Sequence, residues 1–222
     1  ERSHHEQGPG QNEIDFRYSD PLTAADNAMT FQTVVKTVAG CNGLIADFSP
    51  KPLADKPGNG FHINISAKAD DNSDYLHQII AGILAKVCDM TLFLNPLNCS
   101  YQRFGNDKAP QYISWSSENR SQLIRIPAAV GKYRRAELRS PDPTANSYLA
   151  FALMIYAGLY GIQNHLQLAE PTDINLYKAN ADVLSKFKML PSSLKDACES
   201  ALNSDFIKQH IPNEILEIYC NR

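Results

Sequence analysis

Several stretches of the chain carry apolar residues every three to four positions, which is typical of helices with one buried face. This spacing predicts five helices. One begins at Ser73 or Asp74 and contains the apolar stripe at 76–87, and the others cover 23–39, 145–159, 194–202 and 213–219. Asp20-Pro21 comes just before the first of them, where a capping residue followed by proline favours a helix start. We expect the apolar faces of these helices to form the core.

Other stretches alternate apolar and polar residues, as half-buried strands do. The alternation predicts strands over 14–18, 45–48, 61–66, 111–115, 123–127 and 136–139. Helices and strands follow one another in mixed order, without a repeating βα period. We therefore predict a single α+β domain with a largely antiparallel sheet.

Composition narrows the class of protein. The 222 residues have a formal net charge of −3, so there is no general basic field for nucleic acid or an anionic membrane. The apolar run at 150–159 is well short of the ~20 residues that a membrane-spanning helix needs. The chain has 5 cysteines and no CxxC motif, and we expect reduced, mostly buried thiols in a cytoplasmic protein.

Carboxylates and histidine provide candidate metal ligands. Glu6 and Glu13 lie on either side of the turn Gly8-Pro9-Gly10, and we expect them to face each other across it. His62 and Glu137 add an imidazole and a further carboxylate. Such donors suit magnesium or manganese. The alternative for each residue is a solvated carboxylate or a structural histidine held by hydrogen bonds.

Arginines are concentrated between positions 103 and 139 of a chain that is acidic overall. A guanidinium binds carboxylate or phosphate through two hydrogen bonds and keeps its charge, which suits it to a phosphoryl-transfer site. Spacing alone leaves open a surface network of ion pairs. The arginines are Arg103, Arg120, Arg125, Arg134, Arg135 and Arg139.

Short motifs in a fixed order carry a resemblance over nearly the whole chain. Residues 4–13 resemble the HHE-x-GPGQNE segment of glutamine synthetases, and residues 51–66 resemble the ATP-region signature of that family. Further matching segments lie at 95–103, 109–110, 119–127 and 135–143. The resemblance implies a curved, largely antiparallel sheet with flanking helices, of the glutamine synthetase catalytic-domain type. It assigns residues 1–222 to that domain, and we expect an N-terminal β-grasp domain and the first catalytic strands to precede them.

The resemblance also implies an activity. Glutamine synthetases use ATP to join glutamate and ammonia into glutamine through γ-glutamyl phosphate. They are cytoplasmic enzymes of nitrogen assimilation, built as stacked rings in which neighbouring subunits share each active site. The implied partners are therefore glutamate, ammonia, ATP and further copies of the chain, with no nucleic acid and no membrane. We expect the chain to be inactive alone.

Two metal sites for Mg²⁺ or Mn²⁺ are implied residue by residue. Glu6 and Glu13 match ligands of the first site, which helps to bind glutamate. His62 and Glu137 match ligands of the second, which lies against the nucleotide phosphates. In the family, earlier residues complete both sites.

Substrate and nucleotide contacts are implied in the same way. Arg103, Arg139 and Gly58 match residues that hold glutamate or its acyl phosphate, and Arg139 and Arg120 match catalytic positions. The matching nucleotide contacts are Phe16, Arg17, Tyr18, Ser66, Arg120, Arg125, Lys132 and Arg135.

One departure from the family changes the expected chemistry. Lys108 stands where glutamine synthetases usually have a glutamate, on a loop that covers the site and helps to deprotonate ammonium. A lysine, with a reference pKa of about 10.4, does not provide that anionic partner. A γ-glutamyl ligase for another amine is thus an alternative, and a non-catalytic homologue is a third hypothesis. Pro57 and Asn64 replace a common asparagine and a frequent histidine, and both changes leave the metal ligands intact.

Overall fold

The computed structural model describes residues 2–67, 74–106, 108–127 and 134–221. A hairpin of strands β1 (Arg2–His5) and β2 (Asn12–Asp15) comes first, and the two strands are antiparallel. The prediction of a strand over 14–18 holds only as far as Asp15. Beyond it Phe16 turns to an edge-on contact with Phe31, with ring centroids 5.2 Å apart.

The main sheet has four strands, described here in chain order. They are β3 (Ile63–Ile65), β4 (Trp115–Ser116), β5 (Ile124–Arg125) and β6 (Ala136–Leu138). Their order across the sheet is β3-β6-β5-β4, antiparallel throughout except for the parallel pair β4–β5. The largely antiparallel sheet of the α+β prediction is thus confirmed, and β6 is an inner strand.

Helices contribute far more residues than the strands do. The three long ones are α1 (Pro21–Cys41), α2 (Leu76–Leu94) and α3 (Ser147–Gln163). Side-chain caps explain two of their starts, because Asp20 accepts from the Thr23 amide and Asn146 accepts from the Tyr148 and Leu149 amides. The shorter elements are a 3₁₀ turn (Asn98–Arg103), α4 (Ala181–Leu184), α5 (Leu194–Leu202), α6 (Asp205–His210) and α7 (Asn213–Cys220).

The core is centred on α2, whose apolar stripe packs against α3 and α5. Close contact between α2 and α3 depends on two glycines. A Cβ on Gly82 would lie 2.0 Å from the Ala157 carbonyl oxygen, and a Cβ on Gly161 would lie 2.0 Å from the Gln78 carbonyl oxygen. By length and composition α2 alone, among the described helices, could cross a membrane, but 61% of its apolar window is buried inside the domain.

Two strand predictions were wrong or displaced. Residues 45–48 form no strand. Ile45 is 95% exposed, so the apolar positions of this alternating segment are not all buried against the core. The strand predicted over 111–115 is shifted to Trp115–Ser116, while Tyr112 makes an isolated bridge to Met189. Residues 123–127 and 136–139 contain the shorter strands β5 and β6.

The expectation of reduced thiols was wrong for one pair. Cys198 on α5 and Cys220 at the end of α7 form a disulfide, with Cα atoms 5.5 Å apart. Cys41, Cys88 and Cys99 are free thiols. Sequence spacing could not reveal the pair because it depends on how α5 packs against α7.

Candidate active site

The hairpin brings three potential metal ligands together. His4 and Glu13 are opposite each other in the β1–β2 register, and Glu6 follows β1, with its amide donating to the Gln11 carbonyl at 3.0 Å. The Nε2 atom of His4 lies 3.5 Å from Oε1 of Glu6 and 3.6 Å from Oε2 of Glu13. One ligand atom from each of the three residues lies within 4.8 Å of the others.

This arrangement confirms that Glu6 and Glu13 face each other, and it adds His4, which the sequence interpretation missed. The signal was present, because His4 lies two residues before Glu6 and alternate residues of a strand share a face. In the sequence it was read only as part of a motif. We call His4, Glu6 and Glu13 the hairpin site.

The pKa values of the two carboxylates of the hairpin site are shifted in opposite directions. Partial burial and the neighbouring Glu6 carboxylate raise the pKa of Glu13. The pKa of Glu6 is lowered, first by a hydrogen bond from Lys108. Two carboxylates this close repel each other, and a bound cation would relieve the repulsion.

A second cluster surrounds Glu137 on the inner strand β6. Arg125 is its register partner on β5, and Asn64 is its partner on β3. Oε2 of Glu137 accepts from Nε of Arg125 at 2.7 Å and lies 3.2 Å from Nη1 of Arg139, while Oε1 lies 3.3 Å from Nδ1 of His62. The pairing of strands thus assembles residues that are far apart in sequence. We call Glu137, His62, Arg125 and Arg139 the sheet site.

Glu137 is held as a charged carboxylate. Its burial alone would raise its pKa, but the hydrogen bonds of His62 and Arg125 and the charge of Arg139 hold the pKa well below its usual range. Burial lowers the pKa of His62, which favours the neutral imidazole. A neutral imidazole beside an ionised carboxylate is a competent pair of metal ligands.

The two buried arginines next to the sheet site have different environments. Arg103 is 3% exposed and donates to the carbonyls of Ser140 and Pro141, at 3.0 and 3.3 Å, with Asp142 at 3.9 Å. Arg139 is equally buried, but its Nε has no hydrogen-bond partner in the described structure. Arg139 therefore has a buried donor that the described residues leave unpaired, while Arg103 is largely occupied by the backbone.

Gly58 belongs to a loop pressed against Arg103. A Cβ on Gly58 would lie 2.4 Å from the Pro50 carbonyl oxygen and 2.7 Å from Cγ of Arg103, so the approach requires glycine. The Gly58 carbonyl accepts from Nε2 of Gln11 at 3.1 Å, and the same amide nitrogen donates to Oδ1 of Asn59 at 2.9 Å. Gln11 thereby ties the hairpin to this loop.

Lys108 connects the hairpin site to the sheet site. Its Nζ donates to Oε2 of Glu6 at 2.6 Å, and its carbonyl accepts from Nη2 of Arg139 at 3.4 Å. Lys108 thus contacts a residue of each site. The two sites form one continuous polar site.

The family follows from comparison with known proteins. The family model described as "Glutamine synthetase, catalytic domain" matches residues 1–222. The chain belongs to the glutamine synthetase family. It is 42% identical to a glutamine synthetase of Methanosarcina mazei, covering 99% of this chain and 52% of the relative. It is also 42% identical to one of Staphylococcus aureus (strain MW2), covering 100% of this chain and 53% of the relative.

Solved structures agree with this family. An ADP complex of GmaS has a TM-score of 0.88 at 28% identity, covering 99% of this chain and 54% of that one. GmaS without ligand has a TM-score of 0.86 at 28% identity, covering 99% and 53%. The α+β catalytic-domain fold is therefore confirmed. The chain spans about half the length of the curated glutamine synthetases that it matches.

Some of the nucleotide contacts expected in a glutamine synthetase lie beside the sheet site. Arg125 contacts Glu137 directly. Arg135 donates from Nε to Oδ1 of Asn64 at 3.0 Å, and half-buried Ser66 comes directly after β3. Arg125 is thus beside Glu137 on the neighbouring strand, and Arg135 and Ser66 lie at the adjoining ends of β6 and β3.

For the other expected nucleotide-binding residues, the described part of the chain shows no contact with the sheet site. Phe16, Arg17 and Tyr18 are exposed in the segment after β2, and Tyr18 is 83% exposed. Arg120 is exposed in the segment between β4 and β5, and within the described ranges it forms no ion pair with a carboxylate of either site. Lys132 lies outside the described residues. Their roles stay predictions.

Proposed function

We propose that the protein is an ATP-dependent glutamate–ammonia ligase that forms glutamine through γ-glutamyl phosphate. The observation that carries the proposal is the continuity of the two sites at Lys108, which contacts both the metal-type ligand Glu6 and the buried guanidinium of Arg139. The curated relatives named glutamine synthetase support the same reaction. The ADP complex of the similar GmaS structure supports a nucleotide site.

The donor sets fit divalent cations. His4, Glu6 and Glu13 would hold one Mg²⁺ or Mn²⁺, and His62 and Glu137 would supply two ligands to a second. Bound there, the cations would stabilise negative charge on the phosphoryl oxygens as Lewis acids. Glu137 would have to share its carboxylate between a cation and the two arginines.

The residues of the chain would perform distinct tasks in the reaction. Arg139 would hold the γ-carboxylate of glutamate through its guanidinium group, with Arg103 and Gly58 close to the same position. A carboxylate oxygen would attack the γ-phosphorus of ATP as the bond to ADP breaks, and Arg125 would neutralise charge on the transferred group. Ammonia then attacks the acyl carbon, phosphate leaves, and the nitrogen loses a proton.

The remaining nucleotide contacts are proposed on the family resemblance. Arg120, Lys132 and Arg135 would bind phosphates, with Arg120 also acting in catalysis. Phe16, Arg17, Tyr18 and Ser66 would form the nucleoside pocket. We also propose a cytoplasmic enzyme of stacked rings with shared active sites, so that the isolated chain has no appreciable activity.

Phosphate release tests this function. The full-length protein should release phosphate from ATP only when glutamate, ammonia and Mg²⁺ or Mn²⁺ are all present. Glu137→Ala should abolish the release, while Glu217→Gln, which changes an exposed glutamate on α7, should not. No release above background with ammonia would rule out the proposal.

A γ-glutamyl ligase for another amine is the second candidate, and Lys108 favours it. Lys108 does not provide the anionic partner with which the family helps to deprotonate ammonium, and its own ammonium pairs with Glu6. The same assay with a panel of primary amines separates the two functions. A higher kcat/KM for any amine than for ammonia would favour the second candidate.

A further inference from the structure

The ammonium of Lys108 pairs with one carboxylate of the hairpin site, as a bound cation would. Its Nζ lies 2.6 Å from Oε2 of Glu6, and the side chains of Lys108 and Glu6 are 40% and 20% exposed. Glu6 also faces His4 and Glu13. Lys108 therefore neutralises part of a charge that the proposed function assigns to a divalent cation.

We propose that Lys108 is a built-in competitor for the cation of the hairpin site, and that its side chain must leave Glu6 before that carboxylate binds a divalent ion. The inference rests on the proposed function, because it takes the hairpin site to be a metal site. Beyond that function, it assigns Lys108 a role in setting the affinity of the hairpin site for the cation.

Charge and distance support the competition. A magnesium ion binds its oxygen ligands at about 2.0–2.1 Å, so an ammonium on the same oxygen would stand within a few ångströms of it. Like charges at that separation repel strongly outside bulk water. The ammonium and the cation therefore cannot both contact Oε2 of Glu6 at low cost.

The local structure specifies which part of residue 108 has to move. The backbone around it is anchored, since the Lys108 carbonyl accepts from Arg139 and the Ala109 amide and carbonyl bond to Asn106 and Gly105, at 3.1 and 2.9 Å. The side chain is partly exposed on a flexible four-carbon stem. Displacement would thus swing the ammonium into solvent and leave the backbone of Lys108 and Ala109 in place.

Titration with Mn²⁺ alone tests the inference, with free Mn²⁺ measured by electron paramagnetic resonance. In the full-length protein, Lys108→Met should bind Mn²⁺ about tenfold more tightly, because it removes a nearby but partly screened positive charge. Lys108→Gln should do the same, while Lys108→Arg, which keeps the charge, should stay within about twofold of the wild type. Lys195→Met removes an exposed lysine on α5 and should change nothing.

Glu13→Gln assigns the bound ion to the hairpin site. In the Lys108→Met background it should abolish the gain in affinity. If binding depends on Glu13 but Lys108→Met and Lys108→Gln leave it unchanged, the inference is wrong while the proposed metal site stands. If no binding depends on Glu13 in any variant, the hairpin site is not a metal site, and both the inference and that part of the proposed function fail.

Discussion

Glu137 and Arg139 form an ion pair that is almost completely removed from solvent. Nη1 of Arg139 lies 3.2 Å from Oε2 of Glu137, and the two side chains are 3% and 9% exposed. They are two residues apart, so both side chains leave the chain on the same face. The same carboxylate also accepts from Arg125 and contacts His62. The Glu137 carboxylate therefore contacts all the other residues of the sheet site.

Glu137→Gln should destabilise the protein by about 3–5 kcal/mol, because it leaves the buried Arg139 charge without its counter-ion. Urea unfolding measures the change. Glu217→Gln, at an exposed position, should stay within about 0.5 kcal/mol of the wild type. Equal unfolding midpoints for the two variants would contradict the structural role given to Glu137.

Acid should weaken the metal-free protein in two steps. His62 favours its neutral form, so stability is lost as the pH falls below 6.5, the ordinary value for histidine. Glu137 has a lowered pKa, so its contribution is complete above the ordinary value of 4.5 and is lost as the pH falls further. Urea midpoints in EDTA buffers should show both losses. His62→Asn should remove the first and Glu137→Gln the second, and unchanged pH profiles would contradict these assignments.

The long helices could be predicted from sequence because their apolar stripes fix one buried face. The stripe of α2 is fully buried at Ile80, Ile83 and Val87, and α5 has the predicted bounds. Alternation was less reliable, because it predicted a strand at Ile45, which is almost fully exposed. A short alternating run does not reveal whether a partner strand exists.

The site was predictable as a set of residues but not as a geometry. Glu6, Glu13, His62 and Glu137 came from ordered motifs. His4 was missed because its role depends on the register that places it opposite Glu13. Lys108 stood out as a departure from the family, but its contact with Glu6 depends on how a loop folds back over 102 positions of sequence.

Arg139→Lys should lower kcat by about a hundredfold or more, since a lysine cannot reproduce the planar guanidinium that we assign to the substrate carboxylate. Steady-state phosphate release measures it, with circular dichroism to confirm folding. Arg134→Lys is the matched control, because Arg134 pairs with Asp74 outside the proposed machinery and a lysine can keep that pair. Similar kcat values in both variants would count against the role of Arg139.

Gly82→Ala should strongly destabilise the protein. Its Cβ would overlap the backbone of α3, and the two helices would have to separate. Gly40→Ala on α1 is the opposite case, because a Cβ there meets no heavy atom within 4 Å, and it should raise stability by about 0.5–1 kcal/mol. Thermal unfolding compares them, and a tolerated alanine at Gly82 would show that the close helix contact is not required.

Thiol counting tests the disulfide. The denatured, unreduced protein should show the free thiols of Cys41, Cys88 and Cys99, and reduction should raise the count to the full 5 cysteines. The bridge closes a loop with a sequence separation of 22, so reduction should lower stability by about 3 kcal/mol in the chain-entropy model. Cys198→Ser should unfold at the same midpoint with and without reductant. Five reactive thiols before reduction would instead support the reduced state that composition had suggested.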